Sequence, residues 1–265
     1  MRARVIWGLA MAMAVLTAAV PARSAPVTIS VGGTSITVDG ETQDGLFNWI
    51  AAGADQLTQQ WIWFRQGNTA ESSLDTLPLV DTDIGANSVQ LAYLTAPGDL
   101  AISVTYTLSN GSQPTINESI QVTNLGGTTS PLTLFLYTDL DVNANPINTA
   151  TGGVNGILQT QGNTTVDVRP VGIVPNAFQI AFFPDLLDSL NDGAATNLNN
   201  SGNGLGLADL SHAFQWDLAL GPGQATTLAA VKELTQVPAP ASLGLLLGGL
   251  LVVGALRRRG GRGQA

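Results

Sequence analysis

The chain has 265 residues, with ten Lys and Arg, nineteen Asp and Glu, one His and no Cys. The absence of cysteine excludes disulfides, a cysteine nucleophile and thiolate metal sites, and a single histidine excludes a metal site built from several imidazoles. No basic stripe is available to meet phosphates, so we expect no binding to nucleic acid. Seven of the ten basic residues lie before residue 24 or after residue 256, whereas all the acidic residues lie between Asp39 and Glu233. This segregation predicts three functionally distinct pieces.

Residues 1–24 predict a secretory signal peptide. Arg2 and Arg4 precede an uncharged, mostly apolar stretch from Val5 to Val20, and the small residues around Ala22 suit signal peptidase. A retained membrane anchor is the alternative. The protein is therefore expected to be exported, with signal peptidase as its first partner.

Residues 26–236 predict an all-β ectodomain, an antiparallel β-sandwich of roughly a dozen strands. Short alternating runs are separated by Gly, Asn, Asp and Pro throughout this region. The runs 27–31 and 35–39 around Gly32 and Gly33 predict a hairpin. Residues 184–190 predict one short helix, which Gly193 would end. The Gly- and Asn-rich stretches 143–156 and 191–206 predict surface loops.

An aromatic run at residues 59–65 is the first candidate site. Alternation places Trp61, Trp63 and Arg65 on one face of a strand. If exposed, the two indole rings would form a carbohydrate-binding platform. If the strand is central and buried on both faces, Arg65 needs a carboxylate partner, and Glu71 or Asp75 is near in sequence.

Asp139, Asp141 and Asn143 form the second candidate, a calcium site. Oxygen ligands at alternate positions suit Ca²⁺, and this spacing matches the start of an EF-hand loop. However, Ala144 replaces the required Gly, and Ala150 stands where the terminal Glu should be. A calcium site of another type and a solvated strand end both remain open. Calcium is the one cofactor that the sequence suggests.

Catalytic motifs are weak. His212 follows Ser211, but no Gly-x-Ser-x-Gly elbow occurs, so a structural role for the histidine is expected. Glycoside hydrolysis needs only a suitable carboxylate pair, which nineteen acids can supply by chance. That alternative predicts two acids in one groove, with the pKa of one of them raised.

Residues 237–265 predict a membrane-sorting tail. Val237-Pro238-Ala239-Pro240 leads into an apolar span at 241–256, which Arg257, Arg258 and Arg259 follow in a basic tail. Because positive charge stays on the cytoplasmic side, the acidic ectodomain would face outward. This predicts an inner-membrane-anchored precursor with a periplasmic ectodomain. An ordinary C-terminal anchor is the alternative.

This tail resembles that of PEP-CTERM proteins, secreted proteins of Gram-negative bacteria that make exopolysaccharide. The order of motif, apolar span and arginine cluster matches, but Ala239 stands where the family usually has Glu. The resemblance implies sorting by an exosortase-like membrane transpeptidase that cuts near residues 237–240. It implies delivery to the cell envelope or extracellular matrix, with exopolysaccharide as a candidate partner.

Together these features favour an exported, non-enzymatic adhesive or exopolysaccharide-associated module. Two alternatives stay open. One is a carbohydrate-active enzyme that uses a carboxylate pair, and the other is a self-assembling surface-layer protein.

Overall fold

The structure, a computed structural model, describes residues 25–237. The predicted signal peptide (1–24), the motif residues Pro238, Ala239 and Pro240, the apolar span 241–256 and the arginine cluster Arg257–Arg259 lie outside the described residues. Val237 is described, and its N–H donates to the carbonyl oxygen of Asn163 at 2.9 Å. No helix between residues 25 and 237 combines the length and apolarity needed to cross a membrane.

Strands make up most of the described chain. They are β1 (Val27–Val31), β2 (Thr34–Asp39), β3 (Gly45–Ala51), β4 (Ala54–Asp55), β5 (Gln59–Gln66), β6 (Ser72–Ser73), β7 (Leu79–Ile84), β8 (Ser88–Leu94), β9 (Leu100–Asn110), β10 (Pro114–Asn124), β11 (Ser130–Asp139), β12 (Ile147–Gly153), β13 (Gly156–Gln161), β14 (Thr164–Val171), β15 (Ala177–Phe182), β16 (Leu205–Leu220) and β17 (Ala225–Gln236). A 3₁₀ turn at Leu74–Thr76 and the helix α1 (Asp185–Asn191) complete the regular structure of these residues.

All seventeen strands join one curled sheet with two layers. The front layer contains β1–β6, β11 and β15, and the rear layer contains β7–β10, β17, β14, β13 and β12. Strand β16 belongs to both: its first residues pair with β12, and its residues from Leu210 onward pair with β11 and β15. Neighbouring strands run antiparallel except β3 and β5. The two layers pack face to face, and Gln60 Nε2 of β5 donates to Glu118 Oε1 of β10 across the interface at 2.7 Å.

Burial differs between the layers. Strands β9 and β10 alternate between buried and more exposed residues, as expected when one face of a sheet meets solvent. By contrast, Leu132–Asp139 of β11 is buried throughout. The rear layer packs on one face of β11, and α1 with the loop after it covers the other. The candidate site lies where this doubly covered strand ends.

The secondary structure agrees with most of what the sequence predicts. The all-β, antiparallel prediction is confirmed, as are the hairpin of β1 and β2 and the helix α1. The dozen predicted strands are too few, because several short strands of two to seven residues lie between the long ones. The loop predicted at 143–156 is wrong: it contains β12, whose Asn, Thr and Gly residues pair with β13 and β16.

Candidate carboxylate site

The end of β11 brings distant acids together. Asp139 lies directly opposite Ser211 of β16, and Asp209 precedes Ser211 by two residues on the same face. The chain turns after β11 and places Asp141 beside them. Asp139, Asp141 and Asp209 each offer a carboxylate oxygen, and these oxygens all lie within 4.8 Å of one another. We refer to these three residues as the carboxylate cluster.

Asp139 is the buried member of the cluster. Its side chain is almost sealed from solvent, with 3% of the residue exposed, and its Oδ1 atom has no hydrogen-bond partner among the described residues. Desolvation raises the pKa of Asp139 to about 7, and repulsion from Asp209 and Asp141 adds to the shift. Burial, with repulsion from Asp141, also raises the pKa of Asp209. Among residues 25–237, no ion pair with Lys or Arg neutralises the cluster.

Two buried hydroxyl groups adjoin Asp139. Ser211 faces it across the β11–β16 pairing, and Tyr137 precedes it by two residues on the same face of β11. Both residues are fully buried. Burial, and then the neighbouring Asp139 carboxylate, raise the pKa of the Tyr137 phenol. The phenol therefore stays protonated at neutral pH and can donate a hydrogen bond.

Exposed apolar side chains border the cluster. Ile147 of β12 lies directly opposite Asp209. The backbone N–H of Phe183 donates to the carbonyl oxygen of Asp209 at 3.0 Å, and 40% of Phe183 is exposed. Leu207, two residues before Asp209, is 71% exposed. Carboxylates beside apolar and aromatic side chains are a combination that can bind the hydroxyl groups and the C–H face of a sugar.

Polar contacts hold the cover over the rest of this face. Trp63 Nε1 donates to Asn191 Oδ1 of α1 at 3.1 Å, and the backbone N–H of Leu198 donates to Gln215 Oε1 at 2.8 Å. Arg65 pairs with buried Glu71 at 2.6 Å, as the buried-strand interpretation required. The cluster is more open at the end of the sheet, where Asp141 and Asp209 are half-buried.

The carbohydrate platform predicted at Trp61 and Trp63 is not formed. Both indoles are fully buried, because the rear layer and the α1 cover enclose β5 on both faces. Trp61 Nε1 donates to Asp75 Oδ1 at 3.0 Å. Neither ring presents a face on which a sugar could stack.

The predicted calcium ligands are partly assembled. Asp139 and Asp141 do meet, and Asp209 joins them. Asn143 instead donates from its side chain to the Gln161 carbonyl oxygen at 3.3 Å and from its backbone N–H to Gln56 Oε1 at 2.9 Å. Sequence spacing could not reveal Asp209, because only the register between β11 and β16 places it there. Calcium binding stays a prediction.

His212 does not form a nucleophile pair with Ser211. Adjacent residues of a strand point to opposite faces, so His212 points between the layers while Ser211 faces the cluster. Desolvation, with a contribution from the Lys232 ammonium, lowers the pKa of His212 to about 3. The imidazole is therefore neutral, as suits an interior residue.

No family model and no curated protein sequence matches the chain. Solved structures do. A bacterial glucoamylase complexed with acarbose superposes with a TM-score of 0.57 at 11% identity, over 79% of this chain and 31% of that one. A putative aldose 1-epimerase from Escherichia coli K12 superposes with a TM-score of 0.53 at 12% identity, over 80% of this chain and 99% of that one. A GalM/aldose epimerase homologue from C. elegans superposes with a TM-score of 0.51 at 10% identity, over 81% of this chain and 100% of that one.

These similarities establish the fold alone. The chain spans about a third of the glucoamylase but the full length of the two epimerase-type proteins. The fold is therefore one that carbohydrate-active enzymes use. On this comparison the expectation of a non-enzymatic module is wrong. That expectation relied on the missing catalytic motifs, whereas a carboxylate site needs no local motif.

Proposed function

We propose that the chain is an exported carbohydrate-active enzyme that performs acid–base chemistry on a sugar at the carboxylate cluster. The observation that carries this proposal is the position of Asp139. Its buried carboxyl has an unpaired Oδ1 and lies beside two half-buried carboxylates, in a fold shared with carbohydrate-active enzymes. A purely structural carboxylate in such surroundings would need a hydrogen-bond or ionic partner.

The proposed roles follow from the environment of each acid. A general acid works best when its pKa lies near the working pH, and Asp139 meets this condition at about 7. Protonated Asp139 would donate to a sugar oxygen. Asp141 or Asp209, the more accessible acids, would accept a proton from a sugar hydroxyl or from water. Tyr137 can supply a further hydrogen bond to developing negative charge.

The spacing bears on the reaction class. Glycosidases place their two carboxyl groups about 5 to 9.5 Å apart, on opposite sides of the bond that is cleaved. Here one oxygen of each of the three carboxylates lies within 4.8 Å of the others, which is closer than either glycosidase spacing. This arrangement suits proton transfer to and from the ring and anomeric oxygens of one sugar better than cleavage between two sugars. Interconversion of aldose anomers is therefore the first reaction to test, and hydrolysis is the second.

The experiment uses the purified full chain. Polarimetry would follow the interconversion of anomers across a panel of aldoses, and a reducing-sugar assay would follow hydrolysis of polysaccharides. We expect Asp139→Asn to lose at least 100-fold in kcat, which is the usual scale of general acid catalysis. Asp83→Asn is the matched control, since it removes an exposed acid from β7. Wild-type protein without activity in either assay, or an Asp139→Asn variant with full activity, would refute the proposal.

Export and sorting form the second part of the proposal. The signal peptide pattern and the motif, apolar span and arginine cluster of the tail support it. Replacing Arg257, Arg258 and Arg259 by Ala should disturb retention or processing of the tail. An unchanged cellular location together with an unchanged mature mass would count against sorting.

A further inference from the structure

A second polar cluster lies between the two layers, away from the carboxylate site. Gln60 of β5 and His212 of β16 enter it from the front layer, and Glu118 of β10 and Lys232 of β17 enter it from the rear layer. Each of these residues is at most 2% exposed. We refer to them as the interior quartet. An amine, a carboxamide, a carboxylate and an imidazole are thus enclosed together between the layers.

Glu118 holds the amine and the carboxamide side by side. Lys232 Nζ donates to Glu118 Oε2 at 3.0 Å, and Gln60 Nε2 donates to Glu118 Oε1 at 2.7 Å. The nitrogen of the lysine and the amide of the glutamine are therefore bound to the two oxygens of one carboxylate. Gln60 Oε1 has no hydrogen-bond partner among the described residues.

The hydrogen bonds of His212 define its tautomer. Gln159 Nε2 donates to Asn148 Oδ1 and to the carbonyl oxygen of Leu210, so Gln159 Oε1 is an acceptor. His212 Nδ1 lies 2.9 Å from this oxygen and must carry the proton. Nε2 then bears a lone pair, with no partner among the described residues. This nitrogen lies in the same core as Lys232, whose ammonium helps to lower the pKa of the imidazole.

Stability alone does not explain why the core contains the buried ion pair of the quartet. Apolar side chains of similar volume are often as stabilising as a buried ion pair, because both charges lose their hydration. The unpaired Gln60 oxygen and His212 nitrogen add to that cost. The chain also has no cysteine, so an exported domain of this size has no disulfide to connect its layers.

We propose that Lys232 and Gln60 form an intramolecular isopeptide cross-link between the two layers. Lys232 first gives a proton to Glu118, to which it already donates a hydrogen bond. The free amine then attacks Gln60 Cδ, so that a bond forms between Nζ and Cδ while the bond between Cδ and Nε2 breaks. Glu118 gives that proton to the departing nitrogen, which leaves as ammonia, and takes up the second proton that the attacking amine releases. The lysine ammonium, the Glu118 carboxylate and the glutamine amide become one secondary amide, one neutral carboxyl group and one molecule of ammonia, and nothing is oxidised or reduced.

The surroundings favour this reaction over hydrolysis. The quartet is closed to bulk solvent, which limits competition from water, and the two reactants are held on one carboxylate. The product replaces a buried ion pair by a neutral amide and a neutral carboxyl group. It would connect β5 to β17 and enclose residues 60–232 in a covalent loop, which lowers the entropy of the unfolded chain as a disulfide does.

Peptide mapping tests the proposal on the full chain, denatured and digested with trypsin. The cross-link would block cleavage after Lys232 and would keep the peptide that ends at Arg65 joined to the one that contains Lys232. The joined peptides would weigh about 17 Da less than their sum, the mass of ammonia. Separate peptides, with full cleavage after Lys232, would overturn the proposal from the wild-type protein alone.

Variants identify the groups that react. Gln60→Met and Lys232→Met should both restore separate peptides, and Glu118→Gln should do so while keeping the shape of the side chain. Gln90→Met is the matched control, because Gln90 is an exposed glutamine of β8 and its loss should leave the cross-link intact. A joined peptide that persists in Gln60→Met would overturn the assignment of Gln60. Circular dichroism would confirm that each variant folds.

Discussion

Asp209 lies beside Asp139 because Ser211, two residues after Asp209, pairs directly with Asp139 across β11 and β16. One strand pairing thus brings two repelling carboxylates within 4.8 Å of each other, in a place where one of them is buried. The repulsion between these carboxylates lowers the stability of the folded state at neutral pH. Carboxylates that are held in such surroundings are expected to have a role in function.

Asp139→Asn should stabilise the protein in mild alkali although it lowers kcat at least 100-fold. The pKa of Asp139 is about 7 when folded and about 4 when unfolded, so the folded state binds the proton more tightly. The stability that this group contributes is fully present below pH 4 and is lost as the pH rises through 7. At pH 8 the asparagine should gain about 2 to 4 kcal/mol in urea unfolding. A variant that is less stable than wild type at pH 8 would contradict this.

His212 should make the folded protein less stable as the pH falls, whereas Asp139 makes it less stable as the pH rises. Its pKa is about 3 when folded and about 6.5 when unfolded, so the unfolded state binds the proton more tightly. Its contribution is present above pH 6.5 and falls as the pH drops toward 3, by at most about 1.4 kcal/mol per pH unit. Urea unfolding of His212→Gln between pH 4 and 7 should show a shallower slope. An unchanged slope would mean that the imidazole reaches protons in the native state.

Glu71 should matter far more than Glu233, although each pairs with an arginine at 2.6 Å. Glu71→Ala leaves Arg65 charged and buried, which should cost about 3 to 5 kcal/mol. Glu233→Ala removes a partner from Arg169, which is 40% exposed, and should cost less than about 1 kcal/mol. Thermal unfolding of both variants in one buffer would compare them directly. Equal losses would show that the cover over β5 does not exclude water.

Calcium and the proton should compete for the carboxylate cluster. If Asp139 donates a proton during catalysis, added Ca²⁺ should lower activity at neutral pH, and EDTA should leave it unchanged. Asp141→Asn should weaken the inhibition, because it removes one of the three oxygen groups that suit the ion. Activity that disappears in EDTA and returns with Ca²⁺ would instead favour the predicted calcium site and contradict the role of Asp139 as a proton donor.

Short sequence patterns allowed the first hairpin and the helix to be predicted. The alternation around Gly32 and Gly33 specifies the first hairpin, and Pro184 with the following leucines specifies α1. The burial of Trp61 and Trp63 was one of two interpretations of the sequence, because the same alternation fits a strand covered on one face or on both. The second cover comes from the chain after residue 184, far from β5 in sequence.

The site was predictable only in part for a similar reason. Asp139 and Asp141 are neighbours in sequence, so their spacing drew attention to them. Asp209 and the interior quartet depend on strand register and on the packing of the layers, which no short stretch of sequence records. A pattern of residue types shows which chemistry is available, and the topology decides which of those residues meet.

Strand β16 links the assembly of the two layers during folding. Its first residues complete the rear layer and its later residues are central to the front layer, so neither layer is finished until this single segment has found both sets of neighbours. In a chain that emerges N-terminus first, β16 arrives after all of its partner strands, and β17, which joins β10 to β14, arrives last. Both layers would therefore stay incomplete until the final two strands of residues 25–237 are in place.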